Sequence, residues 1–228
     1  SLHDALPIYT RKIVEDKTDC YFTFFQGAAG NVNPKSRIKS EERALDSVSY
    51  SMLLSDYILD AAKNMEYVKP AEIKVLRRMH EADINHTKDH LRDKAKAVSD
   101  FYKQSGDRKT ANQMAKEIGL FSVYEANAVV GHAAAPLTSL IEMNVITLGD
   151  LAMITAPNEL FDCLSEYVES KAPFKKVLTL GYCNGKKGYI PSRAAYEYGC
   201  YEADIGLYAP GTLEGVADAF LEMLNEIK

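Results

Sequence analysis

The strongest constraint on the fold is a run of strand, strand, helix and strand patterns in the second half of the chain. The strand patterns lie at residues 141–148, 151–155 and 176–182, and the helix pattern extends from the end of the second strand to about residue 171. The dipeptide Gly149-Asp150 between the first two strands is typical of the two-residue turn of a β-hairpin. Two adjacent strands followed by a helix and a further strand predict an α/β fold, a mixed β-sheet with flanking helices.

Five further segments have a recognisable pattern. We predict strands at residues 20–26 and 71–79, the second with Ile73, Val75 and Met79 on an apolar side and charged residues on a solvated side. We predict helices at residues 40–63, at 88–104 and from Thr212, its expected N-cap, to the C-terminus, the last with an apolar side that includes Leu213, Phe220 and Leu224. The first of these helices would begin at Ser40 and bury Leu45, Val48, Met52 and Leu59. Residues 110–127 have weak helical periodicity, and the Gly- and Tyr-rich residues 184–210 have no regular pattern. A loop of that length inside a domain is usually functional.

Composition excludes several classes of protein. The 228 residues are 46% apolar and 26% charged, which is typical of a globular protein. A net charge of −5 gives no footprint for nucleic acid, and the apolar runs are too short for a membrane span. Four cysteines without a CxxC pair argue against a structural zinc site and indicate reduced thiols, although two disulfides remain open.

The first eight residues, SLHDALPI, resemble a translated sequencing adapter and are left out of the fold prediction. We expect the genuine sequence to begin at Tyr9 and the true N-terminus to lie upstream. Residues 9–228 then form one incomplete α/β domain, and the sequence indicates neither a compartment nor an oligomeric state.

The histidines offer a metal site of low specificity. His86 and His90 are spaced for one face of a helix, and His80 lies nearby, but Thr87 stands where helical zinc proteases have glutamate. We interpret this segment as solvated and polar, and His132 as a loop or helix-end residue.

Three other features each allow two interpretations. The turn Gly27-Ala28-Ala29-Gly30 follows a predicted strand, so it is either a plain turn or a close approach to a ligand. Glu159 is predicted at a helix N-terminus, as a helix-stabilising acid or as a metal ligand or base. The tyrosines of the long loop either pack on the domain or serve as ligand and proton donor; they are Tyr189, Tyr196, Tyr198 and Tyr201.

Together these features resemble the neutral/alkaline (non-lysosomal) ceramidases and their bacterial relatives. The matching stretches are FFQGAAGNVNP at residues 24–34, ITAPNELF at 154–161 and GYIPSRAAYEYGCYEAD at 188–204. The resemblance implies a zinc amidase with Glu159 and Tyr189 as metal ligands and Tyr201 as a catalytic residue. It also implies that Gly27, Gly30 and Asn31 bind substrate. The family's two histidine ligands belong to sequence upstream of the GAAG turn, so we expect these 228 residues alone to be inactive.

One departure from the family bears on the substrate. Asn33 stands where the family's ceramidases carry a serine proposed as nucleophile; an asparagine cannot attack a carbonyl but can donate an amide N–H to an oxyanion. We expect a small-molecule or lipid amide substrate, Zn²⁺ as cofactor, no nucleic-acid partner, and membrane contact only through the substrate. The alternatives are a non-catalytic lipid- or glycan-binding relative, or an α/β protein whose Glu159, Tyr189 and Tyr201 lie far apart.

Overall fold

The computed structural model describes residues 2–33, 46–69 and 71–228. The chain divides into two compact units, one formed by Ser1–Gln26 and Asn33–Lys69 and the other by Gly27–Val32 and Pro70–Lys228. The first unit holds helices α1 (Leu2–Lys17) and α2 (Ser47–Ala62). The second unit holds the β-sheet and every other element described below.

The buried side of α2 differs from the prediction. Asp46 caps the helix by accepting the Ser49 N–H at 2.8 Å, whereas Ser40 and Leu45 fall outside the described residues. Ser51 and Ser55 are buried and donate to carbonyls one turn earlier, so these small side chains satisfy their own hydroxyls. The predicted apolar side is therefore wrong: Val48 and Met52 are exposed, and Leu59 is only partly buried.

The strand predicted at residues 20–26 is also wrong. The segment has no regular structure, and Tyr21 is 97% exposed. Its Phe22 N–H donates to the Glu15 carboxylate at 2.9 Å rather than to a neighbouring strand. A strand needs a partner for its backbone groups, and no β-ladder to this segment exists among the described residues.

The sheet of the second unit confirms the predicted fold class. Among the described residues it has the order β1-β2-β3-β5, formed by Ile73–Asp83, Thr138–Leu148, Leu151–Thr155 and Lys176–Leu180. The first three strands pair antiparallel, and β3 pairs parallel with β5, so the sheet is mixed. The predicted hairpin turns at Gly149, whose φ of 58° suits a glycine.

Helices α6 (Asp162–Lys171) and α9 (Thr212–Ile227) pack with the sheet around the main core. The apolar side of α9 is buried as predicted, from Leu213 through Phe220 to Leu224. Its N-cap is Gly211 rather than Thr212, because a φ of 99° at that position favours glycine.

Strand β1 buries the side opposite to the one its apolar residues predict. Ile73 and Val75 are each about two-thirds exposed, at 66% and 64%. Arg78, on the other side, donates to Glu222 at 3.0 Å and Glu226 at 2.8 Å. The side of β1 that faces α9 is thus partly held by ion pairs, and an apolar side of the sheet is exposed.

The helix predicted at residues 88–104 is confirmed as α3 (Arg92–Ser105), and regular structure also forms at residues 110–127 and 184–210, which had no clear predicted pattern. A 3-10 turn (Asp89–Leu91) and three helices form a second core, the helices being α3, α4 (Arg108–Glu117) and α5 (Val123–His132). The long loop contains a short strand and two short helices: β6 (Tyr189–Ile190), α7 (Arg193–Tyr198) and α8 (Tyr201–Asp204). In the described part of the chain, no helix is both long and apolar enough to span a bilayer.

Candidate functional site

Glu159 lies at the carboxyl ends of the parallel strands β3 and β5, the edge where α/β folds bind ligands. The preceding turn is tied to the chain after β5 by backbone hydrogen bonds, from Cys183 N–H to the Ala156 oxygen at 3.0 Å and from Lys187 N–H to the Pro157 oxygen at 2.8 Å. Glu159 itself donates its N–H to the Gly188 oxygen at 2.9 Å. Its position is therefore fixed by main-chain bonds on both sides.

The predicted helix N-terminus at Glu159 needs a correction. Glu159 begins a two-residue strand, β4 (Glu159–Leu160), which pairs parallel with β6. Helix α6 begins only at Asp162, with Phe161 as its N-cap. Pairing with β6 places Glu159 directly opposite Tyr189, so the short strand rather than the helix sets the direction of the carboxylate.

Three tyrosines, Tyr182, Tyr189 and Tyr201, lie around the Glu159 carboxylate. The rings of Tyr189 and Tyr201 meet edge to face, with centroids 6.4 Å apart. Tyr124 packs on the other side of Tyr201 at 6.2 Å. Burial and hydrogen bonding to Glu159 raise the pKa of both Tyr182 and Tyr189. Their hydroxyls therefore stay protonated at neutral pH and donate toward the carboxylate.

Tyr201 is held in the protonated form as well. Burial raises the pKa of its hydroxyl, and the neighbouring Tyr124, Glu202 and Glu159 raise it further. It is 45% exposed, so its hydroxyl combines contact with the cluster and access to solvent. A protonated phenol in that position can donate a hydrogen bond to a bound carbonyl oxygen.

The sequence prediction did not identify Tyr182 as a site residue because it placed this residue at the end of the strand predicted at residues 176–182. Strand β5 ends at Leu180, and Tyr182 adopts a φ of 58°, which is rare for a residue other than glycine. Its N–H donates to the Asn158 oxygen at 3.3 Å. A polar aromatic residue immediately after a strand, at the ligand-binding edge, is the feature that could have identified it.

The GAAG turn packs against the backbone of this site. The Gly30 N–H donates to the Leu160 oxygen at 2.8 Å. A β-carbon on Gly30 would lie only 2.6 Å from the Glu159 oxygen, so glycine is required for this close approach. The Gly27 oxygen lies 3.2 Å from where a β-carbon of Gly181 would stand. Both glycines therefore serve close backbone packing, and their predicted contact with substrate stays a prediction.

Asn31 joins the same turn to the start of α6. Its side-chain amide donates to the Asp162 carboxylate at 2.7 Å and accepts the Asp162 N–H at 2.9 Å. Asn33 is exposed and belongs to the first unit. The second unit thus brings together the turn, Glu159, Tyr189 and Tyr201.

The other two loop tyrosines and the histidines lie elsewhere. The Tyr196 hydroxyl donates to the Tyr208 oxygen at 2.6 Å, and Tyr198 is 88% exposed. His86 bonds the Asp89 carboxylate at 2.8 Å, which raises the pKa of that imidazole. Within the described ranges, no group of three or more His, Cys, Asp or Glu side chains could hold a metal ion.

The cysteines, all in the described part of the chain, are free thiols. Burial raises the pKa of Cys163, Cys183 and Cys200, so these thiols stay protonated at neutral pH. None of them is activated as a nucleophile.

The fold is similar to that of solved ceramidases. One match is the neutral ceramidase from Pseudomonas aeruginosa, with a TM-score of 0.57 and 18% identity over 96% of this chain and 39% of that protein. Another is a ceramidase complexed with C2, with a TM-score of 0.60 and 16% identity over 96% and 41%. The chain thus spans about two fifths of the length of these proteins. No family model and no curated protein matches it. At this identity, the likeness shows that the chain shares its fold with part of these ceramidases.

Proposed function

We propose that the protein is a zinc-dependent amide hydrolase of the neutral ceramidase kind, which cleaves the N-acyl bond of ceramide or a related N-acyl lipid. The observation that carries the proposal is the convergence of Glu159, Tyr189 and Tyr201 at one edge of the sheet. These residues come from two separate stretches of the sequence, 154–161 and 188–204, and their roles were expected from the resemblance alone. A chain with unrelated motifs would have scattered them.

The donor atoms at this edge suit part of a zinc site. Glu159 and Tyr189 place a carboxylate and a phenol oxygen side by side, and carboxylate oxygen is a common zinc ligand. The two histidines of the family pattern would come from sequence upstream of the GAAG turn. When bound, zinc would polarise the substrate carbonyl and lower the pKa of a bound water to about 7.

The chain's own residues would orient the substrate and stabilise charge. Tyr201 would donate its hydroxyl proton in a hydrogen bond to the scissile carbonyl oxygen, where negative charge develops. Tyr182 would hold the Glu159 carboxylate by donating to it. Because Gly30 packs on the Glu159 backbone, the carboxylate would keep its place as the substrate binds.

A non-catalytic relative that binds a lipid or a glycan is the second candidate. Asn33 favours it, because an amide side chain cannot replace a serine nucleophile. The first candidate needs no serine, since a metal-activated water can attack the amide. The two candidates therefore differ in turnover and agree on zinc binding.

Metal content and N-acyl hydrolysis of the complete gene product test the proposal. We expect stoichiometric zinc and release of fatty acid from ceramide or a shorter N-acyl amine. Tyr201→Phe should retain zinc and lose about 10²-fold or more in turnover, the effect of removing one oxyanion donor. Tyr198→Phe, on an exposed ring, is the matched control and should be fully active.

Two results would reject hydrolysis. Bound zinc without turnover on any N-acyl substrate would favour the binding protein. Full activity of Tyr201→Phe would remove Tyr201 from the mechanism.

A further inference from the structure

A cavity of about 210 Å³ lies in the second unit, apart from the Glu159 cluster. Helix α8 connects the two places, because Tyr201 at its first position contacts the tyrosine cluster and Asp204 at its last position lines the cavity. The cavity walls combine polar and apolar surface in about equal parts and come from the segment after β1, from α5 and from the long loop. They are Asn85, Thr87, Lys88, Asp89, Val129, His132, Tyr196, Ala203, Asp204 and Pro210.

Three donor groups of the walls already have hydrogen-bond partners. The Lys88 ammonium pairs with the Glu125 carboxylate, whose side chain is only 2% exposed. The Thr87 hydroxyl donates to the Asn85 side-chain oxygen at 2.6 Å. The Tyr196 hydroxyl donates to a backbone oxygen at 2.6 Å. A ligand that needs donors from these three groups would have to break existing bonds.

The acceptors differ: the Asp89 carboxylate is bonded to His86 and the Asn85 side-chain oxygen to Thr87, whereas the Asp204 carboxylate has no such partner. Asp204 is partly buried and forms no ion pair with any residue in the described ranges. Burial raises the pKa of its carboxyl, and the nearby Glu125 charge raises it further, while Lys88 opposes them. Burial also lowers the pKa of His132, which is 8% exposed, so its imidazole stays neutral at pH 7. A cation placed beside Asp204 would therefore offset both the burial of this carboxylate and the repulsion from Glu125.

We propose that this cavity binds a small organic cation, with a primary ammonium group at the Asp204 carboxylate. The ammonium would bring three donors to the Asp204 carboxylate, which lines the cavity and has no ion-pair partner among the described residues. The volume somewhat exceeds that of an engineered cavity of about 150 Å³ that holds benzene. A ligand of roughly five to ten non-hydrogen atoms would fit. Val129 and Pro210 offer apolar surface for its carbon chain.

Calorimetric titration of the 228-residue chain tests the proposal with three probes of equal length. These probes are n-butylammonium, n-butanol and butyrate, titrated at one ionic strength. We expect n-butylammonium to bind at least tenfold more tightly than the other two. Tight binding of butyrate, equal binding of the three probes, or no n-butylammonium binding at tens of millimolar would each overturn the proposal.

Two variants locate the site. Asp204→Asn should weaken n-butylammonium binding by about tenfold or more, the usual effect of losing a hydrogen bond to a charged group. Asp93→Asn, at an exposed position in the first turn of α3, removes the same charge and should bind as the original chain does. Unchanged affinity in Asp204→Asn would overturn the proposal. If that variant fails to fold by circular dichroism, the comparison of the three probes still decides.

Discussion

Replacing Gly30 with alanine tests whether the GAAG turn holds Glu159 in place. A β-carbon at this position would lie 2.6 Å from the Glu159 oxygen and 3.0 Å from the Leu160 oxygen. Ordinary contact begins at 3.4 Å, so the turn would have to retreat by about 0.8 Å. That movement would stretch the Gly30 N–H to Leu160 hydrogen bond, now 2.8 Å, beyond a useful length.

The expected loss of stability follows from these two effects. A lost hydrogen bond costs about 1 kcal/mol, and overpacking costs about 1 to 3 kcal/mol. We therefore expect Gly30→Ala to lower the free energy of unfolding by about 2 to 4 kcal/mol, measured by urea denaturation followed by circular dichroism.

Gly131→Ala is the matched control. Gly131 lies in α5, and a β-carbon there would meet nothing within 4 Å. Alanine should stabilise that helix by about 0.5 to 1 kcal/mol. A Gly30→Ala protein that unfolds within about 0.5 kcal/mol of the original would refute the packing of the turn on Glu159.

Two further predictions concern buried charge. Burial lowers the pKa of His80 and His132 from 6.5, so these imidazoles bind protons more weakly in the folded chain than in the unfolded chain. The free energy of unfolding should therefore fall as the pH drops below about 6.5. The urea concentrations at the unfolding midpoint at pH 7.5 and pH 5.5 test this prediction, and His132→Gln should reduce the difference between the two midpoints. A midpoint that rises on acidification would contradict the prediction. Lys88→Met would leave the Glu125 charge buried without its partner, and we expect a loss of about 3 kcal/mol or more in the free energy of unfolding. A loss below about 1 kcal/mol would show that Glu125 does not depend on Lys88.

The elements that were predicted correctly are those encoded by local pattern. The hairpin at Gly149-Asp150 and the apolar side of α9 each depend on residues close in sequence. The prediction of a strand at residues 20–26 was wrong because strand pairing depends on residues distant in sequence, which the aromatic composition of the segment does not determine. The prediction of which side of β1 is buried was wrong because α9 carries Glu222 and Glu226. These carboxylates pair with Arg78, so a charged side of the strand can face the helix.

The candidate site was predictable only in part. Resemblance to a family identified Glu159, Tyr189 and Tyr201 without showing that they meet. Their convergence depends on the short strands β4 and β6, two residues each, which are too short to leave a periodic pattern. Tyr182 depends on a left-handed backbone turn after β5, which the sequence KVLTLGY does not indicate.

The most direct test of the central claim is the ultraviolet difference spectrum of the complete gene product on addition of zinc. A bound cation favours the ionised phenol, so zinc held by Glu159 and Tyr189 should produce a tyrosinate signal near neutral pH. The account predicts that this signal is lost in Tyr189→Phe and in Glu159→Gln and is retained in Tyr198→Phe. A tyrosinate signal that survives in Tyr189→Phe, or zinc binding of equal strength in Glu159→Gln, would contradict it.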